Sequence, residues 1–332
     1  MDGTQFSLAT YSGGPAGPFA AIVLGETAFS VAGVYPAYRD SARGRAGPLT
    51  ATGGIRDMLE GWDHNFPVLQ EIVAFIEEEG EERFASVSAA VDGLRALPPV
   101  LRPGKILNAA QNFQEHVDEM IRAGNTPEGG PRWTGDRSTT IPYLFLKAPG
   151  VLAGAHDDIA IPRGMEKIDW EAEIACAIWK RGRRIGADVA LDHVAGWMTT
   201  NDVSCRDLNM RPDRPALKSD WFGGKSHNDF APMGPVLVPK AFVADHMNLF
   251  LRLAVNGEIK QDGNTSQFIY TPEEQIEFAS NIAEVEVGDI FVCGTCGGVG
   301  MGTGTFLQVG DVMETEVEGL GKMTNRLVAD TD

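Results

Sequence analysis

Apolar and polar positions change period once along the first hundred residues, from strand-like runs to helical spacing. Pro18-Phe19-Ala20-Ala21-Ile22-Val23-Leu24 is a short apolar run, Gly25-Glu26 is a turn, and Ala28-Phe29-Ser30-Val31-Ala32 is a second run. Together they predict a β-hairpin. Ile55, Met58, Leu59 and Trp62 then recur at helical spacing. Pro67 suits a first helical position, with Val68, Leu69, Ile72, Val73 and Ile76 forming one apolar face behind it. The acidic run from Glu77 to Glu82, broken by Gly80, ends or interrupts that helix as a solvated face. A third helix is expected near Val87 to Leu97. Pro98-Pro99 and Pro103-Gly104 punctuate the join to the next unit.

From Lys105 onward the pattern turns strand-rich. Asp157 to Ile161, Ile174 to Trp179, Val194 to Thr200, Pro235 to Val238, Leu249 to Val255, Ile290 to Cys293 and Val312 to Val317 read as strands. One helix carries a full start signal: Thr271 as cap, Pro272 as first residue and Glu274 completing a capping box. Many short strands with few helices predict a mainly β protein of the α+β class. The punctuation at 103–104 divides it into a smaller N-terminal α/β domain, 1–103, and a larger β-rich domain, 104–332. No internal repeat or low-complexity segment is present.

Composition narrows the function classes. The 332 residues suffice to bury a sizeable core. A formal charge of −18, from 46 acidic and 28 basic residues, argues against nucleic acid and anionic membrane surfaces as partners, since both need clustered Lys and Arg. No apolar run approaches the roughly 20 residues that span a bilayer. Met1-Asp2-Gly3-Thr4-Gln5 lacks the basic and apolar parts of a secretory signal, so a cytoplasmic location is expected. Cys293-Gly294-Thr295-Cys296 is formally C-x-x-C, but no two further zinc ligands are near and Cys293 ends an apolar run. The cysteines read as structural.

The chemistry concentrates in three carboxylates. Glu171 and Glu173 flank the start of the apolar run Ile174 to Trp179, and alternate side chains on a strand share a face. Two such anions repel each other and resist burial unless a cation compensates them. Asp202 lies just past a second predicted strand. If the two strands are neighbours, three hard oxygen ligands converge on one Mg²⁺, Mn²⁺ or Ca²⁺ ion, leaving positions for substrate and water.

Other groups could serve such a centre. His116 and Glu119 are three apart, so a helix places imidazole and carboxylate on one face. Arg206 and Lys225 are the best candidates for gripping an anionic substrate, one as a fork and one as a point charge. Thr295, in the glycine-rich stretch 294–304, can donate a hydroxyl to substrate. That stretch is neither a phosphate loop nor a dinucleotide motif. The Gly/Pro-rich residues 120–140 are expected to form a lid over substrate. Ser204 lacks the Gly-x-Ser-x-Gly setting of a nucleophile.

Six segments, in order, resemble the fumarylacetoacetate hydrolase family: Asn112 to Glu119, Asp169 to Glu173, Asn201 to Asp207, Gly224-Lys225-Ser226, Val255 to Glu258 and Gly294 to Gly300. The resemblance covers roughly 104–328. It implies a rolled β-sheet catalytic domain, an N-terminal part that does no chemistry, and a homodimer. It implies that Glu171, Glu173 and Asp202 bind a divalent cation, usually Mg²⁺. It makes His116 the general base that activates water and Glu119 its orienting partner. Substrate contacts are implied at Lys225 and Arg206, Asn209 stands where relatives often carry Gln, and Lys147 matches a family lysine. Phe113 replaces a common Tyr, Cys296 replaces a common Pro, and Asn108 to Gln111 lacks the extra acidic ligand of fumarylacetoacetase itself. The resulting expectation is a metal-dependent hydrolase of a carbon–carbon bond in a small 1,3-dicarbonyl oxo-acid such as an acylpyruvate. The alternatives are a 2-oxo-acid decarboxylase, isomerase or hydratase, and, outside enzymes, a metal-stabilised binding protein.

Overall fold

The structure is a computed structural model that describes residues 4–13, 16–124, 134–214 and 216–331. The chain begins with a meander, β1 (Ser7–Ser12), β2 (Pro18–Leu24) and β3 (Thr27–Ser30). The predicted hairpin is β2–β3, but its second strand stops at Ser30. There the Ser30 hydroxyl accepts from the Gly33 N–H at 3.3 Å and caps α1 (Val31–Arg39). Helices α2 (Ile55–Leu59) and α3 (Trp62–Glu79) come next. Pro67 lies inside α3 and not at its start. It is exposed, as is Asp63 one turn earlier, so the carbonyl deprived of its donor is open to water.

The expected helix from Val87 to Leu97 is absent. Those residues form two short strands, β4 (Ser88–Ala90) beside β3 and β5 (Ala96–Leu97) beside β1. Hydrogen bonds from Ser30 N to Val87 O and from Val91 N to Glu26 O draw this stretch onto the hairpin edge. An unpaired sheet edge outcompeted a weak helical pattern.

The remainder supplies β6 (Ile106–Ala109), α4 (Gln114–Arg122), β7 (Leu144–Lys147), β8 (Leu152–Ala153), β9 (Ile159–Ile161) and β10 (Ile168–Asp169). Next come β11 (Ala172–Ile178), β12 (Val194–Asn201), β13 (Ser204–Cys205), α5 (Arg206–Asn209), α6 (Trp221–Lys225) and β14 (Ala231–Pro239). The last are β15 (Phe250–Val255), β16 (Glu258–Asn264), α7 (Pro272–Ile282), β17 (Ile290–Val292), α8 (Gly300–Thr303), β18 (Val312–Val317) and β19 (Gly321–Ala329). The Thr271–Glu274 capping box forms as predicted. Of the stretch expected as a lid, 125–133 lie outside the described residues.

A 12-stranded sheet runs β4-β3-β2-β1-β14-β12-β11-β17-β6-β7, with β5 beside β1 and β8 beside β14. The position 103/104 expected as a domain boundary is therefore crossed by one continuous sheet, through the β1–β14 pair. A second sheet runs β16-β15-β18-β19-β9. Between them β11 is buried at every residue. Its Ala175 and Ala177 pack with α1–α3 on one face, while Ile174, Cys176 and Ile178 pack with the second sheet on the other. A strand covered on both faces reads as a continuous apolar run, which is why β11 and β12 were legible. The order is thus helices, large sheet, smaller sheet.

Candidate metal centre

The β11–β12 pairing brings the carboxylates together. Ala172 faces Asn201 and Glu173 faces Thr200, so Asp202 lies opposite Glu171. The crossing is fastened twice: Asp202 N–H donates to the Glu171 carbonyl, and Glu171 N–H donates to Asn201 Oδ1, both at 2.9 Å. Ligand oxygens of Glu171, Glu173 and Asp202 all lie within 4.8 Å of one another, and all three residues are buried.

Three cationic side chains surround this cluster. Lys225, at the end of α6, donates to Glu171 Oε2 at 2.7 Å and to Asp202 Oδ2 at 2.8 Å. Lys147, at the end of β7 and fully buried, donates to Asp202 Oδ1 and to the carbonyls of Val203 and Phe230. An ammonium has three N–H groups, so Lys147 is committed within the fold and turns to Asp202 and not towards substrate. Arg206 bridges Asp169 Oδ2, at 2.8 Å, and Glu171 Oε1. Its fork was expected to grip a substrate carboxylate; the structure instead closes it on two carboxylates of the protein.

The electrostatics divide the carboxylates. Burial works to raise the Glu171 carboxyl, but Lys225 and Arg206 hold it well below its ordinary value. Burial, with the charges of Asp202 and Glu171, pushes Glu173 well above its own. Glu173 Oε2 accepts from Gly294 N–H, while its buried Oε1 has no hydrogen-bond partner. Burial depresses the Lys147 ammonium despite Asp202; burial acts likewise on Lys225, where Asp202 and Glu171 outweigh it. A divalent cation fits this donor set. It supplies the orphaned Glu173 oxygen with a partner, and ionised carboxylates retain lone pairs beyond those that lysine and arginine occupy.

His116 and Glu119 lie on α4, whose entry is set by Asn112. That amide donates to the carbonyls of Tyr270 and Cys293 and accepts from Tyr270 N–H, all at 2.8 Å. Phe113 packs edge-on against Phe268 at 4.7 Å between ring centroids. His116 is buried and close enough that a charge on its ring lowers the Glu171 carboxyl. The helical spacing does bring His116 Nδ1 to 3.6 Å from Glu119 Oε2, short of a hydrogen bond. Both Glu119 oxygens instead accept from Gly298 N–H at 3.1 Å. Gly298 is obligatory here: its φ is +97°, and a Cβ would stand 1.9 Å from the Lys260 carbonyl oxygen.

Thr295 was expected to offer its hydroxyl proton to substrate. That proton goes to the Ala172 carbonyl at 2.9 Å, and the oxygen accepts from Gln261 at 2.8 Å. The residue locks β11 to the glycine-rich segment. Asn209 lies on α5 against α6, with a buried Oδ1 that has no hydrogen-bond partner, and a Cβ on Gly224 would stand 1.7 Å from that oxygen. Burial raises the thiol of Cys205 to about 11 and that of Cys296 to about 12, and all four cysteines are buried and free. That suits structural thiols.

Three polar residues given no role from sequence turn out to build the site. Asn201 holds the strand crossing. Gln261 accepts from Ala172 N–H at 2.9 Å and donates to Thr295. Asp169 binds Arg206 and the segment that starts α8. Asn201 and Asp169 stand at the ends of apolar strands, where burial obliges a polar side chain to find partners, whereas Gln261 lies in the polar strand Glu258–Asn264 and gives no such signal.

A family model, Fumarylacetoacetate (FAA) hydrolase C-terminal, matches residues 105–328. The chain belongs to this family and is an enzyme of it. The human protein "Oxaloacetate tautomerase FAHD2A, mitochondrial" is 34% identical over 293 residues, covering 84% of this chain and 86% of its own. "Oxaloacetate tautomerase fahd2, mitochondrial" of Xenopus laevis is 33% identical over 301 residues, covering 87% and 88%. Among solved structures, a fumarylacetoacetate hydrolase from psychrophilic Exiguobacterium antarcticum superposes with a TM-score of 0.71 at 25% identity, covering 98% of this chain and 100% of that one. Among the described residues no helix is long and apolar enough to cross a membrane.

Proposed function

We propose that the protein is a divalent-cation-dependent isomerase that interconverts the keto and enol forms of a small 2-oxo diacid of the oxaloacetate type. This reading, second to hydrolysis on the sequence alone, has the support of relatives named as oxaloacetate tautomerases at about one-third identity over most of both chains. The observation that carries it is a buried proton-transfer group set against a carboxylate cluster ringed by cations. His116 Nδ1 is buried without a hydrogen-bond partner, a charge on its ring acts on the Glu171 carboxyl, and Lys225 reaches the same carboxylate.

Keto–enol exchange moves one proton between carbon and oxygen and requires no water. Glu171, Glu173 and Asp202 would hold the cation. When bound, it polarises the ketone and carboxylate oxygens of the substrate. His116 takes the proton from the carbon beside the ketone and returns a proton to the oxygen. Lys225 has one N–H beyond those given to Glu171 and Asp202, and offers it to the oxygen on which charge grows. Burial excludes water and preserves the strength of these interactions.

The test follows enolic oxaloacetate spectroscopically, and hydrogen–deuterium exchange at its methylene by NMR, with Mg²⁺ or Mn²⁺ and after chelation. A parallel assay offers acylpyruvates and measures the cleavage products. The expected result is metal-dependent enol loss and methylene exchange without cleavage. Efficient acylpyruvate cleavage with no acceleration of tautomerisation would overturn the proposal in favour of the hydrolase.

A further inference from the structure

We infer that Asp169 is a positioning residue that ties the metal ligand Glu171 to the segment anchoring the His116 helix. The inference rests on the metal centre proposed above. Asp169 is fully buried, and pairing of β10 with β13 sets it opposite Ser204. Its carboxylate collects four N–H donors. Oδ1 accepts from Trp170 N at 2.8 Å and Gly300 N at 2.6 Å; Oδ2 accepts from Met301 N at 3.0 Å and Arg206 Nε at 2.8 Å. A buried carboxylate so supplied holds its partners in fixed directions.

Two lines of contact run from it. The first passes through Arg206, whose other arm holds Glu171 Oε1. The planar fork spans both carboxylates at once, so Asp169 sets where Arg206 presses on the ligand. The second passes through α8. Asp169 fixes Gly300 and Met301, and Trp170 Nε1 donates to the Gly298 carbonyl at 3.0 Å. Gly298 N–H in turn holds both oxygens of Glu119, one helical turn from His116. Gly300 allows this approach, since a Cβ there would stand 2.7 Å from Asp169 Oδ1 and 2.2 Å from the Thr305 carbonyl oxygen. Charge adds a further reason. Asp169, Glu171, Glu173 and Asp202 face Lys147, Lys225 and Arg206. Without Asp169 the cluster is less negative and the Arg206 fork loses the anchor that fixes its direction on Glu171.

The experiment measures Mn²⁺ affinity by electron paramagnetic resonance and amide exchange across residues 114–122, in the parent, Asp169→Asn and Arg206→Lys. Circular dichroism confirms folding. Asp169→Asn should weaken Mn²⁺ binding about 10-fold or more, as loss of an outer partner of a metal ligand does. It should also speed exchange selectively in α4. Arg206→Lys breaks the fork but leaves Asp169 on α8, so it should weaken Mn²⁺ binding similarly while leaving α4 at parent protection. A general loss of packing would raise exchange throughout the chain instead. Parent-like Mn²⁺ affinity in either folded variant overturns the inference, as does unchanged α4 exchange in Asp169→Asn. If Asp169→Asn does not fold, the affinity of Arg206→Lys decides. A parent that takes up no Mn²⁺ overturns the metal centre itself, a distinct result.

Discussion

Glu173 is the least compensated carboxylate in the protein's centre. It is buried with one oxygen on Gly294 N–H and the other without a partner, beside two more carboxylates. Glu173→Gln removes a ligand charge at nearly constant shape. It should abolish measurable Mn²⁺ binding and metal-dependent turnover while thermal stability stays at or above the parent's, because a buried charge that burial disfavours has gone. Undiminished Mn²⁺ uptake by calorimetry would exclude Glu173 as a ligand. His116 separates chemistry from metal binding. His116→Ala should leave Mn²⁺ affinity close to the parent's and lower kcat for tautomerisation by about 10²–10⁴, the usual contribution of a general acid–base group. A kcat equal to the parent's would remove His116 from proton transfer.

Elements differ in how much of them local sequence decides. Helix α7 has a capping box at Thr271 and Glu274, proline at its first residue and a buried face through Ile276 and Ala279. Its start depends on contacts within four residues, and it was legible for that reason. Thr271→Ala removes an acceptor for Glu274 N–H and should lower unfolding free energy by about 1 kcal/mol in urea titration. Mn²⁺ affinity should not move, since the α7 side chain that reaches the segment beside the centre, Gln275 on the Cys293 carbonyl, is unaltered by the loss of the cap. No loss of stability would mean that packing alone fixes this helix. The opposite case is 87–97. Its apolar spacing admits a helix, but the unpaired edges of β3 and β1 recruit it as β4 and β5. No window of local sequence contains those edges. α3 is intermediate: its apolar face was plain, while Pro67 misled about its start because a carbonyl open to water makes an interior proline tolerable.

The whole molecule is bound together by the N-terminal residues more closely than an accessory role suggests. β1 pairs with β14, and α1–α3 cover the face of the sheet that carries Ala175, Ala177, Ile290 and Val292. Those strands lead directly to Glu173 and to the loop holding it. A chain beginning at residue 104 exposes that apolar face and the edge of β14 to water. It should aggregate or stay partly unfolded by size-exclusion chromatography and circular dichroism. A monodisperse, cooperatively folding 104–332 fragment that binds Mn²⁺ would show that the larger part stands alone. The same continuity explains how a site at the end of two strands is kept dry. Helices close one face and the second sheet closes the other, so β11 and β12 deliver their carboxylates within a low-dielectric interior.

By itself the sequence determined the anionic triad, the strands that carry it and the family to which these belong. Each is a local matter: alternation places Glu171 and Glu173 on one side, and an apolar run bounded by turns has little choice but a buried strand. The helical spacing of His116 and Glu119 was local too. Only the tertiary structure decided what faces the triad. Lys147 is 55 residues from Asp202, Arg206 is 37 from Asp169, and Gly298 is 179 from Glu119. Partners at such separations are chosen by burial, because a charged group taken out of water must find its counterpart wherever the fold brings one. Arg206, Lys147 and Thr295 were therefore visible as chemistry but not in their direction, and each turned inward to hold the site together.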